Sequence, residues 1–199
     1  MAIRDYERRQ ILCKLSYVGP GLAGKRTNIL HVHARTPPED RTTFYRTDID
    51  GTADQYLIFA PAASPRTLHG FHPRFFLRTI SGPHRTGMSP ALLTAVDGLV
   101  FVADSRADRL AANIDALAAL PRALSEQGID LAGVPMVYQW NRRDHADALP
   151  VADLERALNP RGLPAFPACA VTGEGVLDTL QALIRLVDAA LKQELKQYP

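Results

Sequence analysis

The sequence predicts an α/β fold, a mostly parallel six-stranded sheet with one antiparallel edge strand and helices on both faces. Three observations carry this. Short apolar runs of strand length alternate along the chain with longer amphipathic segments, the pattern of a parallel sheet covered on both sides. One run, Gly98-Leu-Val-Phe-Val-Ala103, is continuously apolar, as a strand buried on both faces requires. The first strand is followed at once by a glycine-rich loop and a helix, which puts that loop at the carboxyl edge of the sheet, where such folds bind ligands.

Taken in order, residues 11–18 form a dense apolar run that stops at Gly19-Pro-Gly21, and residues 28–33 continue with helical spacing. Residues 36–53 are rich in Pro, Thr, Arg and Asp with little periodicity and read as a long mobile connection. Two strands follow with no helix between them, at 55–60 and 73–80, and this adjacency supplies the antiparallel edge. Residues 82–90 are crowded with helix and strand breakers, and residues 91–96 read as a short helix before the buried strand at 98–103. A long amphipathic helix fits 106–127, with Leu110, Ile114, Leu117 and Leu120 at three- and four-residue spacing. Then come a strand at 134–140, a short helix at 151–158, a strand at 165–170 and a helix at 174–196.

At 199 residues with 46% hydrophobic content, the chain fits a single domain spanning residues 1–199. Its 23 basic and 21 acidic residues balance too evenly for a nucleic-acid footprint or a polybasic membrane anchor, so no nucleic-acid partner and no direct membrane insertion are expected. Cys13 and Cys169 sit in apolar runs and read as core thiols of a reducing compartment, which makes a cytoplasmic protein the expectation.

The loop Gly19-Pro-Gly21-Leu22-Ala23-Gly24-Lys25 matches the first seven positions of the phosphate-binding P-loop, in the strand–loop–helix context the chemistry requires. Glycines let successive N–H groups converge on phosphate, the helix start adds its positive dipole end, and Lys25 reaches the outer phosphates. The eighth position takes Ser or Thr as a magnesium ligand in that motif. Here it is Arg26, and Thr27 is rotated by about 100° from that direction. Magnesium dependence is therefore expected to be lost or weak.

Asn141-Arg142-Arg143-Asp144 follows a buried strand with the spacing of the guanine-reading Asn-Lys-x-Asp motif. A carboxylate at Asp144 can accept both the N1–H and the 2-amino group of guanine, a pair adenine does not offer. Arg142 replaces the usual lysine and keeps an aliphatic stem to cover the base. Cys169-Ala170-Val171 would offer a backbone N–H to the guanine carbonyl. His69, His72 and His84 lie among Arg74, Arg78 and Arg85 at spacings that fit no metal-ligand pattern, so the segment reads as a solvated or partner-facing surface. Asp104 and Ser105 read as caps of the long helix, and Glu174 as a first-turn acid.

With these residues in view, the chain resembles the MglA family of bacterial Ras-like GTPases. The matching stretches are Cys13-Lys-Leu-Ser-Tyr-Val-Gly-Pro-Gly-Leu-Ala-Gly-Lys25, Gly70-Phe-His-Pro-Arg-Phe75, Asp97-Gly-Leu-Val-Phe-Val-Ala-Asp-Ser105, Asn141 to Asp144, Leu158-Asn-Pro-Arg-Gly162 and Thr172-Gly-Glu-Gly-Val176. The resemblance implies a Ras-like P-loop GTPase fold, GTP or GDP as ligand, a role in polarity or gliding motility, and a Roadblock-type MglB partner. It also implies two switch segments at 36–54 and 81–90, the second contributing Gly82 to nucleotide binding.

Departures from the family fall in the site. Thr79-Ile-Ser-Gly82-Pro83 stands where the family has Thr-Val-Pro-Gly-Gln, so the water-orienting glutamine is replaced by Pro83. Ala53 and Asp54 align with the family's switch arginine and threonine. No catalytic residue is assigned. Two readings follow: a guanine-nucleotide switch with impaired or absent hydrolysis, and a pseudo-GTPase that binds no nucleotide and serves as a structural subunit of a Roadblock-type complex.

Overall fold

The computed structural model describes residues 2–49, 52–59, 71–79 and 93–197. Their elements are β1 (Ile3–Asp5), β2 (Gln10–Val18), α1 (Lys25–Arg35), β3 (Tyr45–Ile49), β4 (Thr52–Phe59), β5 (His72–Thr79), β6 (Gly98–Asp104), α2 (Leu110–Ser125), β7 (Met136–Asn141), α3 (Val151–Leu158), β8 (Ala165–Pro167) and α4 (Val176–Gln197). All the strands join one sheet in the order β3-β4-β5-β2-β6-β7-β8, with β1 paired to β2 off that path.

The pairings β5-β2, β2-β6, β6-β7 and β7-β8 are parallel, and the expected antiparallel join of β4 to β5 is present. The α/β class therefore stands, but among the described residues the sheet has eight strands where the sequence predicts six. β1 and β3 are the additions. β3 falls inside the segment read as an irregular connection, and it pairs antiparallel with β4 so that Asp48 faces Ala53 and Thr47 faces Asp54. Ala53 and Asp54 therefore lie in a strand. The five-residue run Tyr45-Arg-Thr-Asp-Ile49 is too short and too polar to register as a strand alone, and the β4 backbone supplies the partner that makes it one.

Two cores flank the sheet. On one face α1 and α4 pack Ile29, Val32, Val176, Leu180 and Leu183 against Cys13, Leu15, Val100, Val102 and Val137. On the other, α2 and α3 pack Leu120, Leu124, Leu154 and Leu158 against Leu99, Phe101, Tyr138 and Trp140. All seven residues of β6 are buried, alternate side chains entering the two cores, which explains its unbroken apolar sequence. Cys13 and Cys169 are buried free thiols.

Smaller corrections follow from packing. The segment after β6 begins with a short 3-10 turn, so α2 starts at Leu110 and its N-cap is Arg109, without a side-chain cap. Asp104 and Ser105 are not caps. Arg78, placed by sequence on a solvated or partner-facing surface, is buried, with Nε donating to Ser16 Oγ at 3.0 Å and a terminal nitrogen to Thr94 O at 3.2 Å. Glu174 precedes α4 and lies in the turn whose carbonyl accepts from Cys169 N–H. His69, His84 and Arg85 lie outside the described residues, as do Gly82, Pro83 and the whole of 81–90, while most of the 91–96 segment carries no α-helix.

Candidate functional site

The site is built around the loop between β2 and α1, at the edge where β2, β6, β7 and β8 all end. Gly19 and Gly24 have φ of 130° and 97°, which an L side chain rarely adopts. A Cβ on Gly19 would meet Val102 O at 2.3 Å, and one on Gly24 would meet Asn141 Nδ2 at 2.2 Å, so both positions need glycine for space as well as for torsion.

The carbonyl oxygens of this loop are tied one after another by side chains outside it. Lys25 Nζ donates to Gly19 O at 2.9 Å and Pro20 O at 2.6 Å. Arg109 donates to Gly21 O at 2.9 Å, Arg142 to Leu22 O at 3.1 Å, Asn141 to Ala23 O at 2.7 Å and Asn28 to Gly24 O at 3.0 Å. A peptide unit whose C=O is turned outward turns its N–H the other way. The Gly19–Pro20 unit has no N–H, and the Ala23 N–H donates within the loop to Pro20 O at 3.4 Å, so the donors left at the start of the helix, where anions bind, are the N–H groups of Gly21, Leu22, Gly24 and Lys25.

Charge follows the same plan. Lys25 is only 4% exposed, and desolvation pulls its pKa down to about 8. Asp104, buried at the end of β6, accepts from the Arg106 guanidinium at 2.8 Å and lies 3.8 Å from Arg109. Burial works against its charge, but hydrogen bonds from the Arg106 side chain and backbone outweigh it and hold the carboxyl below the usual carboxylate range. Asp104 thus anchors Arg109, which in turn holds Gly21. The Asn113 amide closes the base of this arrangement, accepting from Asp104 N–H and donating to Asp104 O.

The second wall comes from the loops after β7 and β8. Asn141, 2% exposed, donates to Ala23 O and accepts from Ala170 N–H at 2.9 Å, locking the three loops together. Gly19, Gly21, Leu22, Ala23, Gly24, Lys25, Asn141, Arg142 and Ala170 are therefore brought together at one place. Arg26 and Thr27 sit on the first turn of α1, Arg26 exposed and Thr27 partly so. Among the described residues, neither side chain, nor that of exposed Asp144, forms a hydrogen bond or ion pair. Val171 is 74% exposed beside the Ala170 anchor. Ala170's own N–H is spent on Asn141, which leaves the Val171 N–H as the donor without a partner among the described residues.

The sequence does not single out Asn28, Arg106, Arg109 or Asn113, which tie the loop and its base, nor Gln139, whose side chain bonds Asn28 behind the loop. Only Gln139 carried a signal, an amide in the middle of the buried strand Met136–Asn141. Among the described residues, no helix is long and apolar enough to cross a membrane, and no group of three or more His, Cys, Asp or Glu side chains is arranged to hold a metal ion.

No protein-family profile matches the chain. It is similar to the mutual gliding-motility protein MglA of Myxococcus xanthus (strain DK1622), with 40% identity over 194 residues, covering 97% of this chain and 99% of that protein.

Proposed function

Because the chain belongs to the MglA family of Ras-like small GTPases, we propose that it binds a guanine nucleotide, GTP or GDP, between the three loops, with hydrolysis impaired or absent. The carrying observation is the outward tethering of the carbonyls from Gly19 to Gly24, which leaves a helix-start nest of N–H donors with Lys25 at its head. Exposed Asp144 has no partner among the described residues and is available for the base edge, while the Arg142 stem and Val171 flank the base. The Val171 N–H serves the guanine carbonyl.

The residues present fit the nucleotide but not the magnesium that accompanies it in this fold. Arg26 stands at the ligand position, and a guanidinium has no lone pair to give a cation. Its positive charge instead faces the outer phosphates, beside Lys25. Pro83 has neither a side-chain polar group nor an N–H with which to orient water. By analogy with the gliding-motility relative, the chain acts in a polarity or motility system through a protein partner of the Roadblock/MglB type.

The pseudo-GTPase reading is favoured by one observation, that two of the three Lys25 ammonium donors are already spent on Gly19 O and Pro20 O. Calorimetric titration of nucleotide-free protein with GDP and a non-hydrolysable GTP analogue, each with magnesium and with EDTA, separates the two. Binding indifferent to EDTA supports the metal-independent nucleotide reading, and no binding under any condition leaves the scaffold.

A further inference from the structure

Gln139 lies two residues before Asn141 on β7, so both side chains leave the same face of the strand. Asn141 bridges the phosphate loop to the loop after β8 at the surface of the site. Gln139 does the same one layer deeper. Its Nε2 donates to Asn28 Oδ1 at 2.9 Å and to Thr179 Oγ1 at 3.1 Å. Asn28 in turn donates to Gly24 O at 3.0 Å, and the Thr179 hydroxyl donates to Gly175 O at 2.6 Å. Asn28, Gln139 and Thr179 are all 0% exposed. A continuous hydrogen-bonded chain therefore runs from the last carbonyl of the phosphate loop, through the middle of β7, to the turn that follows Cys169-Ala170-Val171.

The surroundings argue against a role in stability alone. Gln139 projects into the core that holds Ile29, Val137, Val176 and Leu180. Its Oε1 is buried with no partner among the described residues. An apolar side chain of similar size would avoid that desolvation cost.

We infer that Gln139 is a positioning residue that fixes the separation between the phosphate loop and the base-side loop, and so selects ligands long enough to engage both. This rests on the nucleotide-binding reading. A ligand held at both ends gains from having its two half-sites pre-set at the right distance, whereas a ligand held at one end gains nothing. Gln139 touches neither half of the ligand and acts through Asn28 and Thr179.

The test uses the full chain with Gln139→Leu, and with Thr179→Val as a second variant that cuts only the base-side arm. Calorimetry compares GDP, which spans both loops, with inorganic pyrophosphate, which occupies the phosphate loop alone. In Gln139→Leu the GDP affinity falls about tenfold while pyrophosphate affinity stays within about twofold. Without ligand, amide exchange speeds up at 24–28 and 170–175 in Gln139→Leu, at 170–175 alone in Thr179→Val, and stays unchanged in β6 in both. Equal weakening of both ligands, no weakening of either, or exchange rising evenly across the sheet overturns the assignment. If the unaltered protein binds neither GDP nor pyrophosphate, the nucleotide reading falls, and the exchange pattern alone decides whether Gln139 couples the loops.

Discussion

The Asn141 amide donates to the Ala23 carbonyl at 2.7 Å across 118 residues of sequence. Its carbonyl oxygen accepts from Ala170 N–H, so one side chain satisfies groups from two other loops. Asp144, three residues on, is exposed and has no described partner. The two substitutions should separate cleanly. Asn141→Ala leaves two buried backbone groups unpaired and lowers stability by ~2–4 kcal/mol, whereas Asp144→Ala shifts it by no more than about 0.5 kcal/mol. Both weaken GDP binding, and Asp144→Ala also erases the preference for guanine over adenine. Urea midpoints alongside calorimetry check this, and a stable Asn141→Ala would refute the bridging role.

Lys25 makes stability depend on pH. Its pKa in the folded chain is about 8, below the ordinary 10.5, so between those values the unfolded chain holds more protons and stability rises with pH. Below the folded value the cost of the buried charge is constant, at ~3 kcal/mol. Denaturant midpoints measured from pH 7.5 to pH 10 should climb in the unaltered protein, and Lys25→Met should remove that part of the climb. Identical pH profiles for the two would contradict the assignment. Polyphosphate beside Lys25 restores its charge, so GDP binding above about pH 8 takes up a proton, seen as a dependence of the binding heat on buffer ionisation enthalpy.

Arg26→Thr replaces an exposed guanidinium that has no described partner with the hydroxyl that can ligate magnesium. Stability should change by less than about 0.5 kcal/mol. GDP binding should be insensitive to EDTA in the unaltered protein and magnesium-dependent in the variant. Equal sensitivity of both proteins to EDTA would show that Arg26 does not stand in for the metal.

Leu22 holds φ of 66° while its side chain is 72% exposed, so it carries left-handed strain with little packing to offset it. Leu22→Gly should stabilise the protein by about 0.5–1 kcal/mol, read as a raised melting temperature. A loss of stability would mean that the exposed leucine is held by contacts worth more than its strain.

Much of this molecule was legible residue by residue. Helix α3 is found at Val151–Leu158, as its sequence reads, β6 is marked by five consecutive residues, Leu99 to Ala103, each with a place in a core, and the glycines before Lys25 mark a tight loop between strand and helix. Those features are local. A glycine's torsional freedom, a helix period and a run of apolar side chains are properties of neighbours in sequence. Strand β3, by contrast, exists because β4 offers it a hydrogen-bonding edge, and Arg78 is buried because Ser16 and the Thr94 carbonyl, 62 and 16 residues away, receive it. The same holds for Arg109, which the sequence marks only as part of a helix. Its contact with Gly21 depends on where β6 ends relative to β2, which is set by the register of Val18 with Phe101. Which side chains turn the loop's carbonyls outward, and hence where its N–H groups point, was decided by the sheet, because hydrogen-bond partners far apart in the chain meet only once the strands have aligned.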